Sequence, residues 1–214
     1  MTPDGLHLVT DGRAPLDRLL VVVDAASRAG AAVVQVRSKD ATARDLTATV
    51  VEVSEVVAGR AAVLVNDRVD VALAARHAGA RVDGVHLGQD DLDPRAARDL
   101  LGADALVGWT ANRDAHLRAA EAFPDGTIDY LGVGLVRPTT TKHDGPPVLG
   151  AAGFGAFALS TSLPCVAIGG VRVDDVPELM AVGASGVAVV SAICDAPDPG
   201  AAATGFVTAI EATR

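Results

Sequence analysis

Short aliphatic and β-branched runs recur eight times along the chain, and helix-forming segments separate them. The runs are LHLVT (6–10), AVVQVR (32–37), AAVLVN (61–66), DGVHLG (83–88), ALVGW (105–109), YLGVG (130–134), CVAIG (165–169) and GVAVVS (186–191). The segments between them are rich in Ala, Leu, Arg and Glu, as in PLDRLLVVVDAASRAG. Strands that alternate with helices indicate βαβ units and a parallel sheet.

Two folds are compatible with a series of βαβ units. An open doubly wound sheet usually has fewer strands and a glycine-rich first turn, whereas the first turn here reads TDGRAP and contains no G-x-G-x-x-G motif. The eight units also fill the 214 residues with nothing left over. The sequence therefore predicts an α/β fold, a (β/α)8 TIM barrel, in which residues 1–214 form a single catalytic domain.

Composition restricts the class of function. Half of the residues are hydrophobic, 3% are aromatic, and the formal net charge is −9. A protein that neutralises many phosphates needs an extensive basic surface, so we expect neither nucleic acid nor a membrane surface as a partner. The N-terminus lacks a signal-peptide pattern and no apolar run approaches the roughly 20 residues of a membrane span. We expect a cytoplasmic protein that acts on small molecules, and a homo-oligomer is compatible with the sequence.

The two cysteines carry no evident chemistry. Cys165 and Cys194 both lie beside apolar, strand-like runs. In that setting a cysteine is usually a small buried hydrophobic residue. We therefore predict neither a disulfide nor a metal site from this pair.

Cationic side chains follow the second predicted strand. In a TIM barrel the chemistry lies at the C-terminal ends of the strands. Side chains alternate along a strand, so Gln35, Arg37 and Lys39 of VVQVRSKD share one side. An outward-facing charged fringe is the alternative interpretation. Their position at the predicted mouth of the barrel favours an anion-binding site.

Carboxylates follow the third and fourth strands. Asn66 and Asp67 end the third strand, and Asp91 follows the fourth. Neighbouring strands lie about 4.8 Å apart, so Asp67 and Asp91 could share one cation. Few carboxylates, completed by water and phosphate oxygens, suit Mg²⁺. Helix capping is the alternative for Asp67, ahead of a helix from Val69, and we accept it for Asp93.

The remaining strand ends suggest ligand contacts of other kinds. Thr110 follows the fifth strand and could contact a phosphate, and Asn112 is predicted to cap the next helix. Glycines 169–170 and the start of a helix at 190–191 resemble the backbone phosphate site of many barrels. His86, inside the fourth strand, is predicted to be a packed, hydrogen-bonded histidine.

The segment GVGLVRPTTTKHD (132–144) combines hydroxyl groups, a lysine and a histidine after the sixth strand. Taken alone, it is compatible with a solvated surface loop. Its position between the two predicted anion sites instead suggests a segment that closes over phosphorylated ligands. His143, beside Lys142, is a further phosphate-contact candidate.

The chain resembles the thiamine-phosphate synthase family over nearly its whole length. The resemblance rests on LHLVTDG, VVQVRSKD, VNDRVDVAL, GVHLGQDDL, the PTTTK run, VAIGGV and GVAVVSAI. The family is composed of (β/α)8 transferases that couple 4-amino-2-methyl-5-hydroxymethylpyrimidine diphosphate to 4-methyl-5-(2-phosphoethyl)thiazole. The products are thiamine phosphate and pyrophosphate.

The resemblance implies a role for each matching residue. Gln35 would contact the pyrimidine, and Asp67 and Asp91 would bind Mg²⁺. The residues implied to hold the diphosphate are Arg37, Lys39, Asn66, Thr110 and Lys142. Among these, Arg37, Lys39 and Lys142 are implied to be catalytic. Thr139 and Thr141 are implied to bind the thiazole partner. The residues implied to hold its phosphate, largely through backbone donors, are Gly170, Val190 and Ser191.

Three positions depart from the family pattern. Ser38 replaces a glutamate, Trp109 a smaller residue and Leu135 a proline. A bulky Trp109 ring beside the pyrimidine pocket could alter the shape of that pocket. Two other functions remain open, a thiazole tautomerase of the same fold and a non-catalytic phospholigand-binding barrel. The tautomerase needs no diphosphate site, so Arg37 and Lys39 argue against it.

Overall fold

A computed structural model of the chain describes residues 3–138 and 148–214. Eight parallel strands pair in chain order, and β8 pairs with β1 to close a barrel. The strands are β1 (Gly5–Val9), β2 (Val33–Val36), β3 (Ala62–Asn66), β4 (Gly84–Leu87), β5 (Leu106–Thr110), β6 (Tyr130–Val133), β7 (Cys165–Ile168) and β8 (Gly186–Val189). Each coincides with one of the eight runs in the sequence, so the predicted (β/α)8 barrel is confirmed.

Helices connect the strands and cover the outside of the barrel. They are α1 (Leu16–Arg28), α2 (Ala43–Val57), α3 (Val69–His77), α4 (Pro94–Leu101), α5 (Asp114–Glu121), α6 (Gly150–Ala158), α7 (Val176–Ala181), α8 (Ser191–Cys194) and α9 (Pro199–Glu211). A short 3-10 helix, Val173–Asp175, precedes α7. Within the described residues, none of these helices has the length and apolar character to cross a membrane.

Alternate residues of each strand face the barrel interior and the helices. A small apolar cluster fills the interior, and it consists of Val9, Val33, Ala62, Leu64, Leu106, Tyr130, Val166 and Ala188. The larger core lies between the strands and the helices and is built mainly from Val, Leu and Ala. Side chains near the C-terminal ends of the strands therefore project over a packed interior, toward one mouth.

Helix capping agrees with the sequence at one position and differs at another. Asp93 caps α4, and its Oδ1 accepts a hydrogen bond from the Arg95 amide at 2.8 Å, as predicted. Asn112 does not cap α5, because Arg113 occupies the N-cap position. The predicted capping role of Asn112 is therefore wrong. At the start of α3 no side chain makes a capping hydrogen bond, so Asp67 is not used as a cap.

The two cysteines are free thiols. Cys165 is buried in β7, and Cys194 at the end of α8 is half-buried. Burial raises the pKa of each thiol to about 11, so both stay protonated near neutral pH. The prediction of small buried hydrophobic residues is confirmed for Cys165 and in part for Cys194.

Candidate active site

One cavity of about 860 Å³ opens at the C-terminal end of the barrel. Residues that follow β2, β3, β4, β5, β7 and β8 all contribute to its wall. Its charged and amide-bearing lining residues are Gln35, Arg37, Lys39, Asn66, Asp67, Gln89, Asp90, Asp91, Asn112 and Arg172. Its hydroxyl and backbone lining includes Thr110, Gly169, Gly170, Val190 and Ser191. The structure thus brings together every predicted site residue that lies within the described ranges.

Gln35 and Asn66 form a fixed pair on one side of the cavity. The Gln35 Nε2 group donates a hydrogen bond to Asn66 Oδ1 at 2.6 Å. The pair joins the end of β2 to the end of β3, and Gln35 is 5% exposed. This bond leaves Gln35 Oε1 available as an acceptor and the Asn66 amino group available as a donor. The two amides therefore offer opposite hydrogen-bonding groups to a ligand.

Asp67 and Asp91 lie together at the ends of β3 and β4. The Asp67 backbone has a left-handed φ of 64°, and its amide donates to His86 O at 2.8 Å. Asp91 Oδ2 accepts a hydrogen bond from the Gly88 amide at 2.5 Å. The Asp91 carboxylate is thus held by the turn after β4, and the left-handed Asp67 backbone is held at the end of β3. Strained backbone of this kind is common at functional sites.

The electrostatics of this pair favour a cation. Burial, and then the neighbouring Asp91, raise the pKa of Asp67 to about 6, while Arg37 and Lys39 act in the opposite direction. A buried carboxylate whose pKa is raised by a neighbouring carboxylate is stabilised in its charged form by a positive ion between the two groups. Across residues 3–138 and 148–214, no cluster of three or more His, Cys, Asp or Glu side chains could hold a metal ion.

A hydrogen-bonded chain of side chains lies on the β4–β6 side of the cavity. His86 Nδ1 lies 2.9 Å from the Tyr130 hydroxyl, and His86 Nε2 lies 3.0 Å from Thr110 Oγ1. His86 is therefore packed and hydrogen-bonded, as predicted. Gln89 Nε2 donates to Thr110 O at 2.6 Å, which further fixes the end of β5.

The opposite wall is formed by backbone after β7 and β8. Gly169 and Gly170 have φ values of 95° and 68°. A Cβ on Gly169 would lie 2.5 Å from Leu135 Cδ2, and one on Gly170 would lie 2.9 Å from Arg137 Cβ. Only glycine fits this close approach. On the same wall, after the neighbouring strand β8, Val190 precedes α8, which begins without a side-chain cap. The first amides of α8 have no partner within the helix.

The chain on either side of residues 139–147 is tied to this wall. The amides of Val136 and Arg137 donate to Ile168 O and Gly169 O at 3.0 and 2.8 Å, and Leu149 N donates to Leu135 O at 2.7 Å. Arg137 Nε also donates to Asp175 Oδ2 at 2.8 Å. The described residues on both sides of 139–147 are therefore anchored beside the cavity.

Several predicted residues lie outside the described ranges. They are Thr139, Thr141, Lys142 and His143. Their proposed contacts remain predictions from the sequence.

Four charged or amide-bearing cavity residues were not assigned to the site from the sequence, namely Gln89, Asp90, Asn112 and Arg172. Arg172 follows the glycine turn, and a charged residue directly after GGV was a usable signal. Asn112 lines the cavity as well, and its Oδ1 is buried with no hydrogen-bond partner. Because neighbouring residues on a strand face opposite sides, a position two residues after Thr110 could have been assigned to the same side.

The three departures from the family pattern have different consequences. Trp109 faces the helices, where its ring packs edge-on against Phe123 at a centroid distance of 5.5 Å. The expectation that it alters the pyrimidine pocket is therefore wrong, because alternation along β5 directs it away from the cavity. Leu135 does line the cavity, whereas Ser38 does not.

Comparisons with known proteins agree with this geometry. Residues 6–193 match the family model described as thiamine monophosphate synthase. A thiamine-phosphate synthase of Salinispora arenicola is 49% identical over 208 residues, 96% of each chain. One of Corynebacterium jeikeium is 46% identical over 205 residues, which cover 94% of this chain and 92% of the relative.

Solved structures show the same relationship. Thiamine phosphate pyrophosphorylase from Pyrococcus furiosus superposes with a TM-score of 0.83 at 30% identity, covering 98% of this chain and 96% of that one. A 3-hexulose-6-phosphate synthase, 18% identical with a TM-score of 0.73, shares the fold alone. The match covers the strands, the strand-end residues and the cavity described above, and the chain belongs to the thiamine monophosphate synthase family.

Proposed function

We propose that the chain catalyses the reaction of its family. In that reaction the methylene carbon of 4-amino-2-methyl-5-hydroxymethylpyrimidine diphosphate is transferred to the nitrogen of 4-methyl-5-(2-phosphoethyl)thiazole. The observation that carries the proposal is the cavity of about 860 Å³ at the mouth of the barrel. Cationic and acidic side chains line it after β2, β3 and β4, and Gly169, Gly170, Val190 and Ser191 line it after β7 and β8. Such a site suits one substrate with a diphosphate and another with a phosphate monoester. The tautomerase and the non-catalytic binding protein are not supported by the relatives described above.

In this proposal the β2–β4 side binds the pyrimidine diphosphate. The Gln35–Asn66 bond of 2.6 Å supports opposite roles for the two amides. Gln35 Oε1 accepts from the ring amino group, and the Asn66 amino group donates to the diphosphate. Arg37 and Lys39 line the same side of the cavity and supply the positive charge that a diphosphate requires.

The donor set at Asp67 and Asp91 fits Mg²⁺. The raised pKa of Asp67 reflects burial and the adjacent Asp91, and two carboxylates with water and phosphate oxygens are the usual ligands of this ion. We assign both side chains as its protein ligands. The chemistry that Mg²⁺ supplies when bound there is neutralisation of charge on the diphosphate leaving group.

The β7–β8 side would bind the thiazole phosphate. Gly170, Val190 and Ser191 line this side of the cavity, and backbone amides at a helix start suit a phosphate. The anchored flanks of residues 139–147 support placing Thr139 and Thr141 with the thiazole partner and Lys142 with the diphosphate.

The mechanism needs charge stabilisation more than proton transfer. The pyrimidine amino group feeds electrons toward the methylene carbon, so C–O cleavage runs ahead of attack by the thiazole nitrogen. Negative charge grows on the departing diphosphate, where Arg37, Lys39 and Lys142 stabilise it. The thiazole nitrogen has no proton to lose, so no general base is required.

The test is a coupled assay of the purified chain with both substrates and Mg²⁺. A synthase releases pyrophosphate only when both partners are present. A tautomerase would convert a thiazole isomer without releasing pyrophosphate, and a binding protein would turn over neither. Folded protein that releases no pyrophosphate from the complete mixture would contradict the proposal.

A further inference from the structure

The chain of hydrogen bonds through His86 runs from the barrel centre to the cavity. It begins at the Tyr130 hydroxyl and passes through the His86 ring to the Thr110 hydroxyl, with separations of 2.9 and 3.0 Å. Tyr130 is 1% exposed and His86 9%, whereas Thr110 lines the cavity. The buried Tyr130 hydroxyl can therefore influence, through His86, the Thr110 hydroxyl that faces a ligand.

The buried phenol sets the direction of these hydrogen bonds. Burial raises the pKa of Tyr130, so its hydroxyl keeps its hydrogen. Within residues 3–138 and 148–214, His86 Nδ1 is the hydrogen-bonding atom that this hydroxyl meets. A buried O–H without an acceptor is costly, so Tyr130 donates to Nδ1.

The tautomer of His86 then determines which group donates in the hydrogen bond between His86 and Thr110. A neutral imidazole that accepts at Nδ1 has its hydrogen on Nε2, and His86 Nε2 lies next to Thr110 Oγ1. Nε2–H donates to that oxygen, so the hydrogen of the Thr110 hydroxyl is left for the cavity. In the opposite direction Thr110 would donate to His86, and its lone pairs would face an anionic ligand.

Two neighbouring glycines leave the space in which the Tyr130 and His86 rings lie. A Cβ on Gly108 would lie 2.2 Å from Tyr130 Cζ and 2.5 Å from His86 Nδ1, and one on Gly132 would lie 2.8 Å from His86 Cε1. The register of the barrel puts Gly108 beside His86 on one side and Tyr130 on the other. Any residue larger than glycine at position 108 or 132 would overlap these rings.

We propose that Tyr130 and His86 are positioning residues, which orient the Thr110 hydroxyl so that it donates its hydrogen to the departing diphosphate. This inference rests on the proposed function, because it takes the diphosphate as the anion next to Thr110. A donor that is already oriented stabilises the growing charge without rearranging during the reaction.

The first test reads the tautomer directly. Long-range ¹H–¹⁵N spectra of ¹⁵N-histidine protein distinguish hydrogen on Nε2 from hydrogen on Nδ1, and His86→Gln identifies the signals among the five histidines. We expect the Nε2–H form in the wild type and a larger Nδ1–H fraction in Tyr130→Phe. An Nδ1–H tautomer in the wild type would overturn the inference.

The second test is a double-mutant cycle on turnover. We expect Tyr130→Phe to lower kcat about 10-fold, the scale of one hydrogen bond, with KM for the pyrimidine diphosphate changed less than about twofold. In a Thr110→Val background the same substitution should have no further effect. Ser27→Ala, which removes a hydroxyl buried far away in α1, is the matched control and should leave kcat unchanged.

The outcomes separate the inference from the proposed function. Equal losses from Tyr130→Phe in both backgrounds would mean that Tyr130 does not act through Thr110, and the inference would fail. If the wild-type protein releases no pyrophosphate, the proposed function fails and the inference with it. An active wild type with either contrary result overturns the inference alone.

Discussion

His7 makes the stability of the barrel depend on pH. It lies inside β1, is 1% exposed, and its ring meets Tyr130 edge-on at a centroid distance of 5.4 Å. Its Nε2 lies 2.6 Å from Pro3 O. Burial lowers the pKa of His7 from 6.5 to about 4, although the Pro3 bond and Asp4 act in the opposite direction. The folded protein therefore resists protonation of this ring.

The sign and size of the pH effect on the free energy of unfolding follow from the pKa values of His7 in the unfolded and in the folded chain. Between pH 6.5 and pH 4 the unfolded chain binds the proton and the folded chain does not. The contribution of His7 to the free energy of unfolding is therefore fully present above pH 6.5 and is lost as the pH falls toward 4. The loss between pH 8 and pH 5 is about 2 kcal/mol for pKa values of 6.5 and 4.

The assay is urea unfolding at pH 8 and pH 5 for the wild type and His7→Gln. Glutamine can still donate to Pro3 O but does not titrate, and the other titrating groups cancel in the comparison. We expect the wild type to lose about 2 kcal/mol more than the variant between the two pH values. Equal losses would refute the reasoning, because they would show that burial of His7 does not disfavour its charged form.

Three further outcomes test the site and the packing. Asp67→Asn should lower the rate of pyrophosphate release by about 10² or more, the scale of one lost electrostatic contact, whereas Asp93→Asn keeps a good helix cap and should leave the rate near wild type. Lys142→Ala should lower that rate by about 10² on the role implied by the family, and a near-wild-type rate would remove this lysine from the mechanism. Gly108→Ala should reduce the free energy of unfolding by about 1–3 kcal/mol or more, since its Cβ would overlap the Tyr130 ring. Gly205→Ala lies inside α9, where a Cβ would make an ordinary contact with Val173 Cγ2 at 3.7 Å. This substitution should instead raise the free energy of unfolding by about 0.5–1 kcal/mol, and urea unfolding of both variants checks the pair.

The fold and much of the cavity could be predicted because both follow from local pattern. Runs such as AVVQVR and CVAIG were recognisable as buried parallel strands, and eight of them left a closed barrel as the natural arrangement. Once the strand ends were known, the rule that the C-terminal ends of barrel strands form one mouth was sufficient to place Arg37, Asp67 and Asp91 there. These positions required no knowledge of side-chain packing.

Features that depend on pairing between distant residues could not be predicted. The contacts of His86 with Tyr130 and Thr110 depend on the register between β4, β5 and β6, which sequence spacing does not specify. The ion pair between Arg137 and Asp175 joins residues 38 positions apart. Trp109 is different, because strict alternation with Thr110 was enough to assign it to the outer face.

The hydrogen bond between Leu149 N and Leu135 O, at 2.7 Å, has a consequence for engineering and evolution. It brings the two ends of the intervening stretch to a single point on the scaffold. The number of residues in that stretch can change at a small cost in chain entropy, because this cost rises only slowly with the number of residues between two fixed ends. Changes in the length of this stretch therefore leave the eight strands of the barrel, and the residues at their C-terminal ends, as they are.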